Sequence, residues 1–311
     1  MPRIIAVTGA TGFIGRMLVR SLRSAGWSVR LLVRPDSIAR LSSPPTSETI
    51  LGSLEDPFAL EQLVNGVYAV VHCAGAVRGR TFEDFSQVNV EGVKRLVRAA
   101  INQSNTPRFL SLSSLAAREP QLSHYASSKQ QGEQALAEAG GGMEWVALRP
   151  PAVYGPGDRE MLPLFQWMGR GIAPILGEPL ARLSLLYVED LTTAILSWLD
   201  SGGCKSGVYE ITDTQDNGYS WEEVTERVSV LLSRRLIRVP LNEPLLRALA
   251  GLNLLGARVL GYAPMLTPGK VREIRHADWV GNNGELTAAI GWTPTYSLED
   301  GLRATMGWGS S

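Results

Sequence analysis

Tyr125 and Lys129 stand four residues apart in the stretch Tyr125-Ala126-Ser127-Ser128-Lys129, a spacing that places both side chains on one face of a helix. An ammonium beside a phenol favours the phenolate and lowers its pKa towards neutrality, which makes the tyrosine a usable acid or base. Ser114 closes the apolar run from Arg108 to Leu112 and Ser113, so its hydroxyl can bond the oxygen whose proton is exchanged. Together these residues describe oxidoreduction at an oxygen-bearing carbon. Tyr125 moves the proton, Lys129 tunes it, Ser114 holds the substrate oxygen, and a nicotinamide exchanges the hydride.

Such chemistry needs a dinucleotide site, and the beginning of the chain supplies one. Ile4 to Val7 reads as a buried strand that breaks into Thr8-Gly9-Ala10-Thr11-Gly12-Phe13-Ile14-Gly15. Gly9 allows a tight turn, Gly12 lets backbone approach a ligand, and Gly15 lets the next helix pack closely. The turn opens a helix whose free N–H groups attract a pyrophosphate. From Gly12 to Ser24 the apolar residues Ile14, Leu18 and Leu22 recur every four positions, Gly26 stops the helix, and Trp27 to Val33 returns as a strand. Arg34 follows that strand, where an arginine accommodates a ribose 2′-phosphate and an acid receives the ribose hydroxyls. NADP is therefore preferred over NAD, with Asp36 as the residue that would serve NAD.

The rest of the chain repeats the alternation. Residues 41 to 50 read as a loop into a short strand, and Asp56-Pro57 starts a helix that runs to Asn65. Tyr68 to His72 is a strand ending in the small residues Cys73, Ala74 and Gly75. A helical pattern covers Phe82 to Gln103, followed by the strand before Ser113-Ser114, the helix of Tyr125 and Lys129, and a strand from Met143 to Leu148. This order predicts an α/β fold, a Rossmann-type doubly wound parallel sheet with a smaller, mostly helical C-terminal substrate domain. Residues 1–155, with 185–212 returning to them, form the dinucleotide-binding domain. Residues 156–184 and 213–311 form mainly the substrate domain.

At 311 residues, with 44% hydrophobic and 19% charged residues and thirty basic groups balancing thirty acidic ones, nothing points to nucleic acid or an anionic membrane as a long-range partner. A small-molecule substrate fits better. Two cysteines, Cys73 and Cys204, make no disulfide framework, and no cluster has metal-ligand spacing. The first strand starts within three residues, which leaves no room for a signal peptide. The expectation is a cytoplasmic protein without a transmembrane segment.

At this point the sequence strongly resembles the extended short-chain dehydrogenase/reductase family. Thr8 to Gly15 matches its cofactor motif, His72-Cys73-Ala74-Gly75 its fourth-strand motif and Asn89-Val90-Glu91-Gly92 its helix motif. Ser113-Ser114 and Tyr125 to Lys129 match its catalytic segments, and Arg149 to Pro156 and Val188 to Leu191 match later ones. The resemblance implies Ser114, Tyr125 and Lys129 as catalytic, with Ser113 in reserve and Asn89 bracing the helix and site. It implies cofactor contacts from Gly9, Thr11, Gly12, Phe13, Ile14, Arg34, Leu54, Cys73, Ala74, Gly75, Tyr125, Lys129, Pro150 and Val153. His72 reads as a packed strand-end residue. Where the family has Gly-Asp-Leu after the third strand, this chain has Gly52-Ser53-Leu54, so adenine would rest on backbone and the Ser53 hydroxyl. A homodimer through outer-face helices is the default state of such proteins.

Nucleotide-sugar members of the family place an arginine beside an aromatic before the Val-x-Asp segment; here the stretch is the more apolar Arg182-Leu183-Ser184-Leu185-Leu186-Tyr187. Leu241 to Leu266 is also rich in Leu and Ala, and reads either as helix packing or as an apolar lid or membrane-surface face. These features resemble the branch of hydroxysteroid dehydrogenases and dihydroflavonol reductases. The function expected is interconversion of a secondary alcohol and a ketone on a fairly apolar molecule. The runner-up is a nucleotide-sugar epimerase or dehydratase with retained cofactor, and a cofactor-binding module with little catalysis is a distant third.

Overall fold

The computed structural model describes residues 3–41, 48–178 and 180–309. Seven strands form one parallel sheet: β1 Ile4–Thr8, β2 Ser28–Val33, β3 Glu48–Leu51, β4 Ala69–His72, β5 Arg108–Leu112, β6 Trp145–Arg149 and β7 Gly207–Glu210. Their order is β7-β6-β5-β4-β1-β2-β3, and every neighbouring pair runs parallel. The order reverses between β1 and β4, which opens the crevice at their C-terminal ends where sheets of this kind take ligands.

The strands are apolar on both faces because helices cover both. Ile5, Val7, Val71, Leu110 and Leu148 belong to one core, while the intervening Ala6, Val70, Phe109 and Ala147 belong to the other. In the first half of the chain the helices are α1 Phe13–Ser24, α2 Pro57–Val64, α3 Phe82–Ser86, α4 Gly92–Ile101 and α5 His124–Ala139. In the second half they are α6 Leu162–Gly169, α7 Val188–Asp200, α8 Trp221–Leu231, α9 Glu243–Leu260, α10 Pro268–Arg275, α11 Gly284–Ile290 and α12 Leu298–Met306. Leu18 and Leu22 of α1 pack with Leu191, Ile195 and Trp198 of α7 on one face; α2, α4 and α5 cover the other. The expected start of α2 is present, with Asp56 Oδ1 accepting from the backbone N–H groups of Phe58 and Ala59 at 3.1 Å.

Two expectations change in detail. The helix read over Phe82 to Gln103 is divided by a π turn at Gln87–Glu91, against which α5 packs so tightly that a Cβ on Gly132 would lie 2.2 Å from the Asn89 carbonyl oxygen. The wide turn gives α5 its seat and keeps the Asn89 side chain pointing inward, buried. Of the loop expected at 41 to 50, residues 42–47 lie outside the described ones, and β3 already begins at Glu48.

Beyond β6 the chain builds a second core around Tyr154, Phe165, Met168, Tyr187, Trp221 and Leu302, which meets Phe13 and Met17 of α1. Asp190, fully buried at the start of α7, accepts from the N–H groups of Thr295 and Tyr296 and from the Thr295 hydroxyl, which ties the C-terminal segment to the sheet. Leu286 of α11 and Trp292 also join the core of the sheet. No helix among the described residues is long and apolar enough to cross a membrane.

Candidate active site

The cradle is built as the glycine spacing requires. Gly9 has φ +72°, and a Cβ there would strike the backbone of Cys73 and Ala74 at 2.5 to 2.8 Å. A Cβ on Gly15 would lie 2.1 Å from the Gly9 carbonyl oxygen, so any side chain would push α1 off its turn. Gly12 is exposed and caps α1 without a side-chain hydrogen bond, and a Cβ there would meet the Gly9 oxygen at 3.2 Å and no other atom within 4 Å. Gly12 thus leaves room for a ligand beside the first turn of α1, which fits the diphosphate of a dinucleotide. Thr11, Phe13 and Ile14 are half-buried around the turn, with the two apolar residues set against the second core.

The small residues after β4 are explained by the protein's own side chains. A Cβ on Gly75 would stand 3.1 Å from Lys129 Nζ and 3.3 Å from Asn89 Oδ1. Asn89 Oδ1 accepts from the Ala76 N–H at 2.9 Å, and its Nδ2 donates to the Ala76 carbonyl at 3.0 Å and to Ser128 Oγ at 2.9 Å. One amide therefore joins the loop after β4, the π turn and α5.

Ser123 caps α5 through the Ala126 N–H at 2.9 Å, and the helix brings Tyr125 and Lys129 over the ends of β4 and β5. Ser114 Oγ accepts from the Ala116 N–H at 3.2 Å, and its hydroxyl is close enough to the Tyr125 phenol to favour the phenolate. Ser113 is buried and its hydroxyl donates to Glu133, which is itself held by Arg149 at 2.6 and 2.8 Å. The geometry therefore brings Ser114, not Ser113, to the tyrosine.

Electrostatics depart from expectation at this point. Burial raises the Tyr125 phenol above the ordinary range, opposed by the Ser114 hydroxyl and by the charge of Lys270, not Lys129. Lys129 is buried and donates to the Leu112 carbonyl at 2.8 Å, and burial lowers it to about 8 against the pull of Glu133. The expectation that Lys129 draws the phenol towards neutrality is thus not met in this arrangement, because its ammonium is turned into the sheet end. His72 shares a 2.8 Å hydrogen bond with Thr8 and is lowered to about 3 by burial and by Lys129, so it is a neutral packed residue. Burial pushes the Cys73 thiol up to about 12. A small, partly open cavity of about 10 Å³ between His72, Asn89, Ser113 and Lys129 is roughly the size of one water.

Two residues that sequence reasoning did not single out complete the site. Lys270 of α10 stands 5.8 Å from the centre of the Tyr125 ring and pairs with buried Glu273 at 2.8 Å, which accepts from Ser123 at the start of α5. Nothing local in the sequence marks them, because only the fold docks α10 on α5.

At the far end of the crevice, Arg34 follows β2 with an exposed side chain 3.7 Å from Asp36. Ser53 Oγ accepts from the Glu55 N–H at 3.1 Å, so its hydroxyl serves a turn, and Leu54 packs near Gly92. Pro150 is buried and receives the Leu115 N–H at 2.9 Å, while Val153 lies half-buried in a short strand. Arg182 donates to the carbonyls of Asn217 and Gly218 and to Glu223.

Comparison with known proteins agrees with this architecture. The model of the NAD dependent epimerase/dehydratase family matches residues 5–211. Ceramide reductase of Caulobacter vibrioides is 36% identical over 317 residues, covering 98% of this chain and 94% of its own. UDP-glucose 4-epimerase of Vibrio cholerae is 24% identical, covering 98% and 95%. The crystal structure of UDP-glucuronic acid 4-epimerase from Bacillus cereus in complex with NAD superimposes with a TM-score of 0.74 at 18% identity over 97% of each chain, which shows the shared fold. The chain belongs to the NAD dependent epimerase/dehydratase family.

Proposed function

We propose that this chain is an NADP-preferring oxidoreductase that interconverts a ketone and a secondary alcohol on a molecule with a long apolar portion. The observation that carries the reading is the pairing of Ser114 with a buried Tyr125 phenol whose pKa burial raises, set over the end of β5 beside the glycine cradle. A phenol that stays protonated is a proton donor, which suits reduction. Ser114 holds the substrate oxygen. Tyr125 gives it a proton on reduction and takes one on oxidation; Lys129 and Asn89 position the helix, the loop after β4 and the cofactor's nicotinamide end. A bound nicotinamide supplies or accepts the hydride.

The cofactor would lie on Gly9, Thr11, Gly12, Phe13 and Ile14, reach Ser53 and Leu54 with its adenine, and pass Cys73 to Gly75 towards Pro150 and Val153. Arg34, exposed at the end of β2, is placed to meet a 2′-phosphate. Residues 156–184 and 213–311 would form mainly the substrate domain, with the substrate held where that domain faces Tyr125. The substrate class draws on the relative named ceramide reductase, whose named substrate is a lipid. We place the protein in the cytoplasm, in keeping with its two free thiols, and expect the homodimer common to this family.

The nucleotide-sugar alternative rests on the epimerase relatives. Against it stands Arg182, whose guanidinium is already engaged by two carbonyls and Glu223. Turnover of long-chain ketones and of nucleotide sugars under saturating NADPH or NADH separates the readings. The proposal expects loss of NADPH absorbance with apolar ketones; turnover confined to nucleotide sugars would overturn it.

A further inference from the structure

Helix α9 begins at Asn242, whose side chain accepts from the Leu245 N–H at 3.1 Å, and ends at Gly261 with φ +73°. It is attached by few residues. Leu246, Ala250 and Ala257 are buried, and Leu246 and Ala250 form a small separate core with Val271 of α10. The opposite side is apolar too. Leu252, Leu255 and Val259 are 67%, 58% and 77% exposed, at spacings that align them along the pole farthest from the protein. Leu245, Leu249 and Leu260 widen this face on one flank and are also exposed. Exposed arginines, Arg247 and Arg258, occupy the other flank.

Charge decides what such a face fits. From Glu243 to Arg275 the chain carries five basic residues, Arg247, Arg258, Lys270, Arg272 and Arg275, against Glu243 and Glu273; Arg247 is paired with Glu243 and Lys270 with Glu273, which leaves the segment net positive with Arg258 on the flank of the face. A second copy of the chain would bring two such net-positive segments together. An anionic lipid surface complements them, since its headgroups attract the arginines while its acyl boundary takes the leucines. The helix is not long and apolar enough to span a bilayer, so it would lie in the interface with its pole inserted.

We propose that the outer face of α9 is a docking surface for anionic membrane. Its packing partner α10 carries Lys270, 5.8 Å from the Tyr125 ring, so a docked membrane would lie one helix away from the proton donor. The surface itself rests on burial and charge; delivery of a lipid substrate from it rests on the function proposed above.

The test is co-sedimentation of the full chain with vesicles of phosphatidylcholine alone or mixed with phosphatidylglycerol. The wild type should bind the mixed vesicles preferentially and release in high salt. Combined Leu252→Asp, Leu255→Asp and Val259→Asp should reduce binding about tenfold or more, and Arg247→Gln and Arg258→Gln about fivefold each on anionic vesicles. Leu252→Asp alone serves if the triple variant unfolds. Turnover of a short, water-soluble ketone should be unchanged, because none of these residues touches the site. A wild type that stays in the supernatant, or binds both vesicles equally with the variants unaffected, overturns the proposal. A dimer in sedimentation velocity that Leu252→Asp dissolves assigns the face to a second copy and also overturns it. Vesicle binding without turnover of any apolar ketone would sink the proposed function and leave the surface standing.

Discussion

Lys270 Nζ stands 5.8 Å from the centre of the Tyr125 ring, whereas Lys129, one turn along α5 from that tyrosine, gives its ammonium to the Leu112 carbonyl at 2.8 Å. Two lysines thus divide two tasks. The one on the helix of the tyrosine anchors the sheet end, and the one from the C-terminal segment sets the field at the phenol.

Lys270→Met should therefore make Tyr125 harder to ionise. In the direction of alcohol oxidation, where the phenolate accepts the proton, the rising limb of kcat against pH should move up by about one unit. A profile that keeps its position would show that Lys270 does not act on the phenol.

Arg34 is free to meet a phosphate because its contact with Asp36 is long and exposed. Arg34→Ala should weaken NADPH binding about tenfold and leave NADH nearly unchanged. Fluorescence titration with both cofactors measures this; equal losses for the two would remove the reason for preferring NADP.

Asn89 joins the loop after β4 to α5 with hydrogen bonds to Ala76 and Ser128. Asn89→Ala leaves the half-buried Ala76 N–H and carbonyl without their side-chain partner and should cost about 1 kcal/mol of stability. Because the amide positions α5 without touching the substrate, kcat should fall more than the affinity for ketone changes. Denaturant unfolding and steady-state kinetics together check both statements.

His72 gives a pH signature to stability. Its pKa is 6.5 in the unfolded chain and about 3 when folded, through burial and Lys129. The unfolded chain therefore binds more protons between those values, and stability present above pH 6.5 is lost as the pH falls towards 3, on the order of 5 kcal/mol in total. Asp213, raised by burial to about 6, works in the opposite sense from about pH 4 to 6, so the comparison must be with His72→Gln. That variant should show a flatter acid limb in urea titrations; an identical limb would contradict the assignment.

The cradle was legible because its demands are local. A positive φ at Gly9 and a 2.1 Å clearance at Gly15 can be met only by glycine, and the alternating strands declare a sheet covered on both sides. The choice of Ser114 over Ser113 was half legible, since both end the same strand; what separates them is Glu133, which claims the Ser113 hydroxyl from a helix further on. Lys270 and Glu273 were not legible, because their meaning comes from α10 docking on Ser123 across about half the chain. The π turn at Gln87–Glu91 was hidden for a similar reason: an apolar pattern that fits a continuous helix does not register the pressure of α5 upon it.

The central claim is that Tyr125 is the proton donor in a site that reduces an apolar ketone. Tyr125→Phe keeps the ring and removes the hydroxyl, so the variant should bind NADPH with nearly wild-type affinity and lose turnover by about a thousandfold. Single-turnover oxidation of NADPH with the ketone identified in the screen measures it directly: near-complete loss with intact cofactor binding is the predicted result, and turnover within a few-fold of the wild type would contradict the account.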